Sequence, residues 1–253
     1  MKVTFLGTGT SQGIPVIACE CAVCKSFDYR DKRLRTSVYI ETDKLKVIID
    51  TGPDFRQQVL RERIKQLDAI IFTHEHKDHI AGLDDVRGFN YAQKRDMPVY
   101  ARANVIEALK REFAYIFAEY QYPGIPRIDI HEMDGSPFHI LDELIQPIKV
   151  MHYKLPIFGF RIQDFTYITD ANFISDEEIE KIKGSKVVVL NALQKDPHVS
   201  HFTLQQAIEV IQKIQPEHAY FVHMGHRMGK HEDVEKELPE NIHFAFDGLT
   251  LTI

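Results

Sequence analysis

Six consecutive residues, His74-Glu75-His76-Lys77-Asp78-His79, constrain this chain more tightly than any other feature of its sequence. Three imidazoles and a carboxylate compressed into an H-x-H-x-D-H string make a poor packing unit and a good set of metal donors. The string follows directly on Ala69–Phe72, which reads as a short buried strand. A strand end is a rigid mount, and the loop beyond it can turn several donors into one pocket. The spacing predicts two neighbouring ions, with His74 and His76 on one and Asp78 and His79 on the other.

Two ions need more donors than the string provides, and the chain offers them after later strands. His152 follows the predicted strand Leu144–Val150, Asp170 follows Phe165–Thr169, and His223 follows Ala219–Val222. An aspartate so placed can bridge two cations roughly 3.5–4 Å apart, the separation used when both share one activated water. Histidine and carboxylate donors of this kind accept Zn²⁺, Mn²⁺ or Fe²⁺.

The remaining pattern predicts the frame. The chain has 253 residues, 44% apolar and 27% charged, and residues 1–253 are read as one domain. Further strands are expected at Lys2–Leu6, Ser37–Glu41, Lys46–Asp50, Pro98–Ala101, Gly159–Gln163, Lys186–Leu190 and His243–Phe246. Helices are expected at Asp54–Arg63, Ala103–Ala118, Asp176–Lys183 and Thr203–Ile214. A strand-rich block followed by a helix-bearing one occurs twice, which predicts an α/β fold of two sheets packed face to face with helices outside. The aromatic stretch Tyr115–Pro126 is expected to be a helix end and a packed loop; a substrate-covering flap or a subunit contact, and with it a homodimer, is the alternative.

Several classes are excluded. No stretch approaches the roughly 18 apolar residues of a membrane-spanning helix. A net charge of −6 lacks the footprint of a protein that grips many phosphates of a polymer, which disfavours long nucleic acid. Val16-Ile17-Ala18-Cys19 imitates a lipoprotein processing site, but the turn-rich Gly7–Pro15 cannot serve as its apolar core, so a cytoplasmic protein is expected. Gly7-Thr8-Gly9-Thr10-Ser11 lacks the Lys-Ser/Thr of a P-loop and the third glycine of a dinucleotide turn. Cys19, Cys21 and Cys24 stand too close together for good disulfides. As three soft donors they need one more to close a tetrahedral structural zinc site; otherwise they would pack as small hydrophobes. Arg33 and Arg35, ahead of a strand, are candidates to meet a phosphate.

The strand ending in Leu6-Gly7-Thr8-Gly9-Thr10, the Ile49-Asp50-Thr51-Gly52 turn, the H-x-H-x-D-H string and the spaced His152, Asp170 and His223 resemble the metallo-β-lactamase superfamily over almost the whole chain. Within it, Cys19-x-Cys21-x-x-Cys24 and His223-Met224-Gly225-His226 are similar to phosphodiesterases that open phosphoribosyl 1,2-cyclic phosphate in the carbon–phosphorus lyase pathway. The resemblance implies an αββα four-layer sandwich and two divalent active-site metals, Zn²⁺ or Mn²⁺. It also implies one structural Zn²⁺ on Cys19, Cys21, Cys24 and His226. Asp50 then supports a metal-bound histidine, and His201, rather than His198, protonates the leaving group or holds the phosphate.

The expected reaction is hydrolysis of a small phosphodiester by a hydroxide shared between the two metals, with Asp78 both ligating and orienting the nucleophile. The connection from His152 to Phe160 is too short for the projecting arm with which tRNA-trimming relatives grip RNA. A tRNA 3′ endonuclease and a lactone or thioester hydrolase are the alternatives, since one fold serves many chemistries.

Overall fold

The computed structural model describes residues 1–120 and 122–253; residue 121, inside the aromatic stretch, lies outside the described residues. The first half runs β1 (Lys2–Gly7), β2 (Ser37–Glu41), β3 (Lys46–Ile49), α1 (Phe55–Arg61), β4 (Ala69–Ile71), α2 (Lys77–Ile80), α3 (Arg87–Gln93), β5 (Met97–Ala101), α4 (Ala103–Glu112) and β6 (Ile128–Glu132). The second begins with β7 (Phe138–Ile140), β8 (Glu143–His152), β9 (Leu155–Ile162), β10 (Phe165–Tyr167), β11 (Phe173–Ile174) and α5 (Asp176–Ile182). It continues through β12 (Val187–Asn191), α6 (Leu204–Ile214), β13 (His218–Val222), α7 (His231–Glu235), β14 (Ile242–Phe244) and β15 (Thr250–Thr252).

Two mixed sheets result, in the orders β15-β1-β2-β3-β4-β5-β6 and β11-β8-β9-β10-β12-β13-β14, with β7 paired to β8. Strands alternate their faces, so each sheet sorts its residues into two layers. Val47 and Ile49 of β3, Ile71 of β4 and Val187 and Val189 of β12 point between the sheets with Phe160, Phe165 and Tyr167. Their neighbours face outward: Ile48 and Ile70 pack with Phe55, Val105 and Leu109 beneath the helices of the first half. Val188 and Leu190 pack with Ile179, Ala207 and Ile211 beneath those of the second. The layers therefore run helix, sheet, sheet, helix, as the repeated pattern predicted.

The departures from expectation have local causes. The helix expected to reach Ala118 stops at Glu112, and Ala114–Ile116 form a 3-10 turn. That tighter turn eclipses positions three apart and sets Phe113 and Ile116 together in the outer core. Strands β6, β7, β11 and β15 were not expected; three of them have only two or three residues, and β6 and β15 are sheet edges. Strand β8 runs two residues beyond the predicted end, so His152 is its last residue rather than a loop residue. Thr203 caps α6 reciprocally with Gln206, which fixes the chain two residues after His201.

The inter-sheet layer contains one polar misfit. Tyr167 is fully buried and its hydroxyl has no hydrogen-bond partner in the protein. A buried, unpaired hydroxyl costs about 1–3 kcal/mol. Tyr167→Phe is expected to raise the melting temperature by a few degrees, at about 2–4 °C per kcal/mol for a domain of this size. A lower melting temperature would show that the hydroxyl is bonded in solution.

Candidate metal centre

Parallel pairing points the C-terminal ends of β3 and β4 in one direction, and those of β10, β12 and β13 in a common direction in the other sheet. The segments leaving these ends carry Asp50, the H-x-H-x-D-H string, Asp170 and His223. Crevices beyond the carboxyl ends of parallel strands are where such folds assemble sites. Asp50, Asp170 and His223 all adopt the left-handed backbone conformation, with φ of 64°, 60° and 57°. Aspartate and histidine tolerate that region better than branched residues do, and residues held there cluster at functional sites.

The structure brings the seven predicted ligands together as two adjoining donor sets. His74, His76 and His152 form one; Asp78, His79, Asp170 and His223 form the other, and within each set the donor atoms lie within 4.8 Å of one another. Asp170 joins them: its Oδ2 is 3.1 Å from His223 Nε2 and 3.9 Å from His74 Nε2, and its Oδ1 is 3.4 Å from His79 Nε2. His74 Nε2 and His76 Nδ1 face each other at 3.0 Å. His79 Nε2 and His223 Nε2 are buried without a hydrogen-bond partner, the condition expected of atoms shaped for an ion.

Support from outside the sets fixes which nitrogen each ring presents. Asp50 is fully buried; its Oδ2 accepts from His79 Nδ1 at 2.7 Å, which turns Nε2 inward. The Thr73 amide donates to Asp50 Oδ1 and its hydroxyl to Oδ2, both at 2.8 Å. His152 Nδ1 donates to the Ser200 carbonyl at 3.0 Å, and Thr169 Oγ1 donates to Asp170 Oδ1 at 2.6 Å. Gly52 is needed here because a Cβ would overlap the Asp78 carbonyl oxygen. That close approach lets Thr51 N donate to the His79 carbonyl at 2.8 Å. Thr73, Ser200 and Thr169 were not singled out from sequence, although each adjoins a predicted site residue.

The electrostatics follow from this crowding. Burial opposes a charge on His79, but Asp78, Asp170 and Asp50 outweigh it and raise its pKa well above the usual value. Burial likewise disfavours charge on His223, yet Asp170 and Asp78 lift its pKa to about 9. Desolvation works against ionising Asp170, and His223 and His79 overcome it, holding the carboxyl well below its ordinary range. His79 and His223 thus favour the ionised forms of Asp78 and Asp170, whereas burial raises the pKa of Asp50. A divalent cation can replace the protons on His79 and His223, so loading would release protons and strengthen with pH.

His201 stands against this centre, with Nε2 3.2 Å from Asp170 Oδ2. Its Nδ1 lies 3.0 Å from Ser200 Oγ and 3.2 Å from His198 Nδ1, so the histidine set aside from sequence packs directly on the favoured one. Burial pushes the His201 pKa down to about 4. Glu75, the remaining carboxylate of the string, instead accepts from Asn104 Nδ2 at 2.8 Å.

The cysteines gather at a second place. Sγ atoms of Cys19, Cys21 and Cys24 lie 3.1, 3.5 and 3.6 Å from His226 Nδ1. The Cys24 amide approaches Cys21 Sγ at 3.4 Å and the Val16 amide approaches Cys24 Sγ at 3.3 Å. Amide donors of this kind favour thiolates; the Cys24 amide is the largest influence bringing the Cys21 pKa down to about 6. Four such donors within 4.8 Å suit a closed tetrahedral zinc site.

The two arginines have other partners. Arg33 is buried, donating to Thr8 Oγ1 at 2.7 Å, to the Ala245 carbonyl at 2.6 Å and to His231 Nδ1 at 3.0 Å, so it is closed to substrate. Arg35 is bound to Asp54 at 3.1 Å and to the Ser11 carbonyl at 3.1 Å. In the aromatic stretch Tyr120 and Tyr122 are exposed, while Ile116 is buried and Phe117 packs against the outer core. No helix among the described residues is long and apolar enough to cross a membrane.

A family model described as a beta-lactamase superfamily domain matches residues 46–224. Among solved structures, the chain is similar to a new diphosphatase from the PhnP family, with a TM-score of 0.93 and 39% identity over 100% of this chain and 97% of that one. The zinc-bound PqqB of Methylobacterium extorquens shares the fold, with a TM-score of 0.81 at 16% identity over 100% of both chains. Among curated proteins, an octanoyltransferase of Porphyromonas gingivalis is 40% identical over 100% of this chain and 52% of its own length. A ribonuclease Z of Nostoc sp. is 26% identical over 65% of this chain and 47% of its own length. The chain therefore spans about half the length of these curated relatives. The family model takes in most of the chain, and the diphosphatase matches almost end to end, so this protein belongs to the metallo-β-lactamase superfamily of hydrolases and, within it, to the PhnP family.

Proposed function

We propose that the chain hydrolyses a phosphorus–oxygen bond in a small phosphodiester, of which phosphoribosyl 1,2-cyclic phosphate is the model, at a centre loaded with two Zn²⁺ or Mn²⁺ ions. The observation that carries this reading is the pair of adjoining donor sets, with Asp170 of the second reaching toward His74 of the first and His201 against the same carboxylate. Divalent cations held there would activate water and draw negative charge from phosphoryl oxygens. Asp78, partly buried in the second set, both ligates and orients the attacking water. His201 presents Nε2 to the same space, where it holds a phosphoryl oxygen or protonates the leaving oxygen. Because burial keeps it neutral near pH 7 in the free protein, the charge of a bound substrate has to raise its proton affinity before it serves as the acid. Cys19, Cys21, Cys24 and His226 hold a separate structural Zn²⁺ that pins the loop between β1 and β2.

A phosphoanhydride is the second reading, favoured by the diphosphatase name of the 39% identical neighbour. It needs the same attack at phosphorus with a phosphate as the leaving group. Acyl transfer is in the name of a Porphyromonas gingivalis protein of which this chain spans 52%, and a covalent cysteine route to it would need a free thiol, whereas all three cysteines here gather around His226. RNA trimming is disfavoured by the net charge of −6 and by the two-residue turn from His152 to Leu155.

Metal analysis of protein purified without chelator is expected to give three ions per chain, and one fewer zinc in Cys21→Ser; equal zinc in both would remove the structural site. On bis(p-nitrophenyl) phosphate, Asp78→Ala and His201→Ala should each lower turnover by at least about 10²-fold, the scale for a positioned acid or base. Unchanged rates in both would refute their roles. A panel of ribosyl 1,2-cyclic phosphate, a 2′,3′-cyclic nucleotide, a dinucleoside diphosphate, a lactone, a thioester and a tRNA precursor then separates the bond classes; fastest turnover of the last three would overturn the phosphate reading.

A further inference from the structure

The helices over the first sheet do not close on one another. Between α1 and α3 lies a groove of about 600 Å³, and none of the metal donors lines it. That volume falls within the range of small-molecule sites, roughly 300–1,000 Å³. Phe55 and Val59, four residues apart, share one face of α1; Phe89 of α3 completes the floor, its ring centre 6.5 Å from that of Phe55. Both rings are buried, Val59 and Ile64 are partly so, and Leu60, which also lines the groove, is 59% exposed.

Gly88 carries a second signal. It sits in the first turn of α3 and lines the groove, yet a Cβ added there would meet no atom within 4 Å. Glycine is a poor helix former, and its usual justification is a left-handed backbone or a close approach of neighbouring atoms. Neither applies at this helical position. The missing side chain leaves open space along the groove instead.

The charges around this space are one-sided. The chain has a net charge of −6, but Arg56, Lys65 and Arg87 line the groove against a single carboxylate, Asp85. Arg87 pairs with Asp84 at 3.0 Å. Arg56 and Lys65 have no ion-pair or hydrogen-bond partner among the described residues. Single unpaired surface cations are ordinary, whereas two beside an apolar floor complement a ligand with one anionic end and an apolar body.

We propose that this groove binds a medium-chain fatty carboxylate, with its alkyl chain along Phe55, Val59, Gly88 and Phe89 and its carboxylate toward Arg56 and Lys65. The buried rings offer no free face for stacking a planar group, and with Val59, Leu60 and Ile64 they suit an aliphatic chain. The guanidinium fork of Arg56 matches a carboxylate. A second copy of the chain is a poorer occupant, because a twofold contact centred here would set these cations against their own copies. The site lies apart from the metal centre, so it stands or falls independently of the phosphate reading.

Calorimetric titration of Mn²⁺-loaded protein with decanoate is expected to show one site per chain and binding at least about thirtyfold tighter than that of butyrate, since each methylene taken from water is worth roughly fourfold. Butyrate presents the same carboxylate to the metal ions, so the ratio reports the alkyl chain alone. Decylammonium should bind at least about tenfold more weakly than decanoate, and the double variant Arg56→Glu, Lys65→Glu should lose that preference. Gly88→Leu, which fills the groove, should weaken decanoate at least about tenfold while melting no lower than the wild type, because leucine is the better helix former; this separates occlusion of the groove from damage to the fold. Decanoate binding no tighter than butyrate, decylammonium binding as tightly as decanoate, or an affinity untouched in Gly88→Leu would each overturn the proposal. So would an acidic amphipathic helical peptide binding where decanoate does not, which would make the groove a docking face for another protein.

Discussion

Burying carboxylates and imidazoles together at one edge of an apolar sandwich is the constraint around which the rest of this molecule is arranged. Asp50, Asp170, His74, His79 and His223 are each at most 2% exposed. An uncompensated charge in such a place is expensive, so every member must find a partner or an ion. Asp50 shows one solution: it is satisfied by His79 Nδ1 and by two donors of Thr73. Asp170 shows the other, surrounded by His79, His201 and His223, whose inward nitrogens gain most from a cation.

The two sheets supply the rigidity that such a cluster requires. Each inner face is built from alternating apolar residues, and the ligands leave the strands where that alternation ends. Residues in the left-handed conformation make the exits abrupt: Asp50 after β3, Asp170 beyond β10, His223 after β13. Three left-handed residues, the close approach at Gly52 and a cluster of buried carboxylates and imidazoles meet at this edge.

Much of this was legible because its signals are local. Three histidines and an aspartate in six residues announce themselves, and the strand ends that carry His152, Asp170 and His223 are marked by β-branched runs. The four-layer frame follows from the same runs occurring in two blocks. What escaped depends on contacts between distant segments. The main chain of Ser200 holds His152, and Asn172 joins three loops, yet neither residue type is distinctive in isolation. Arg33 looked available because it precedes a strand, but its partners Thr8, His231 and Ala245 lie far off in sequence. Strands β7, β11 and β15 are too short to show a period, and their pairing is decided by the sheet they join.

The last strand has a consequence for how this unit sits inside longer polypeptides. Strand β15 pairs with β1, Lys2 opposite Thr252, and the Met1 ammonium donates to the Ile253 carbonyl at 2.9 Å. Since β1 runs in the same direction as β3, both chain ends emerge side by side at the pole opposite Asp50. A covalent neighbour tethered at either terminus would therefore hang from the same corner, at the far pole from the rim where the histidines and aspartates gather.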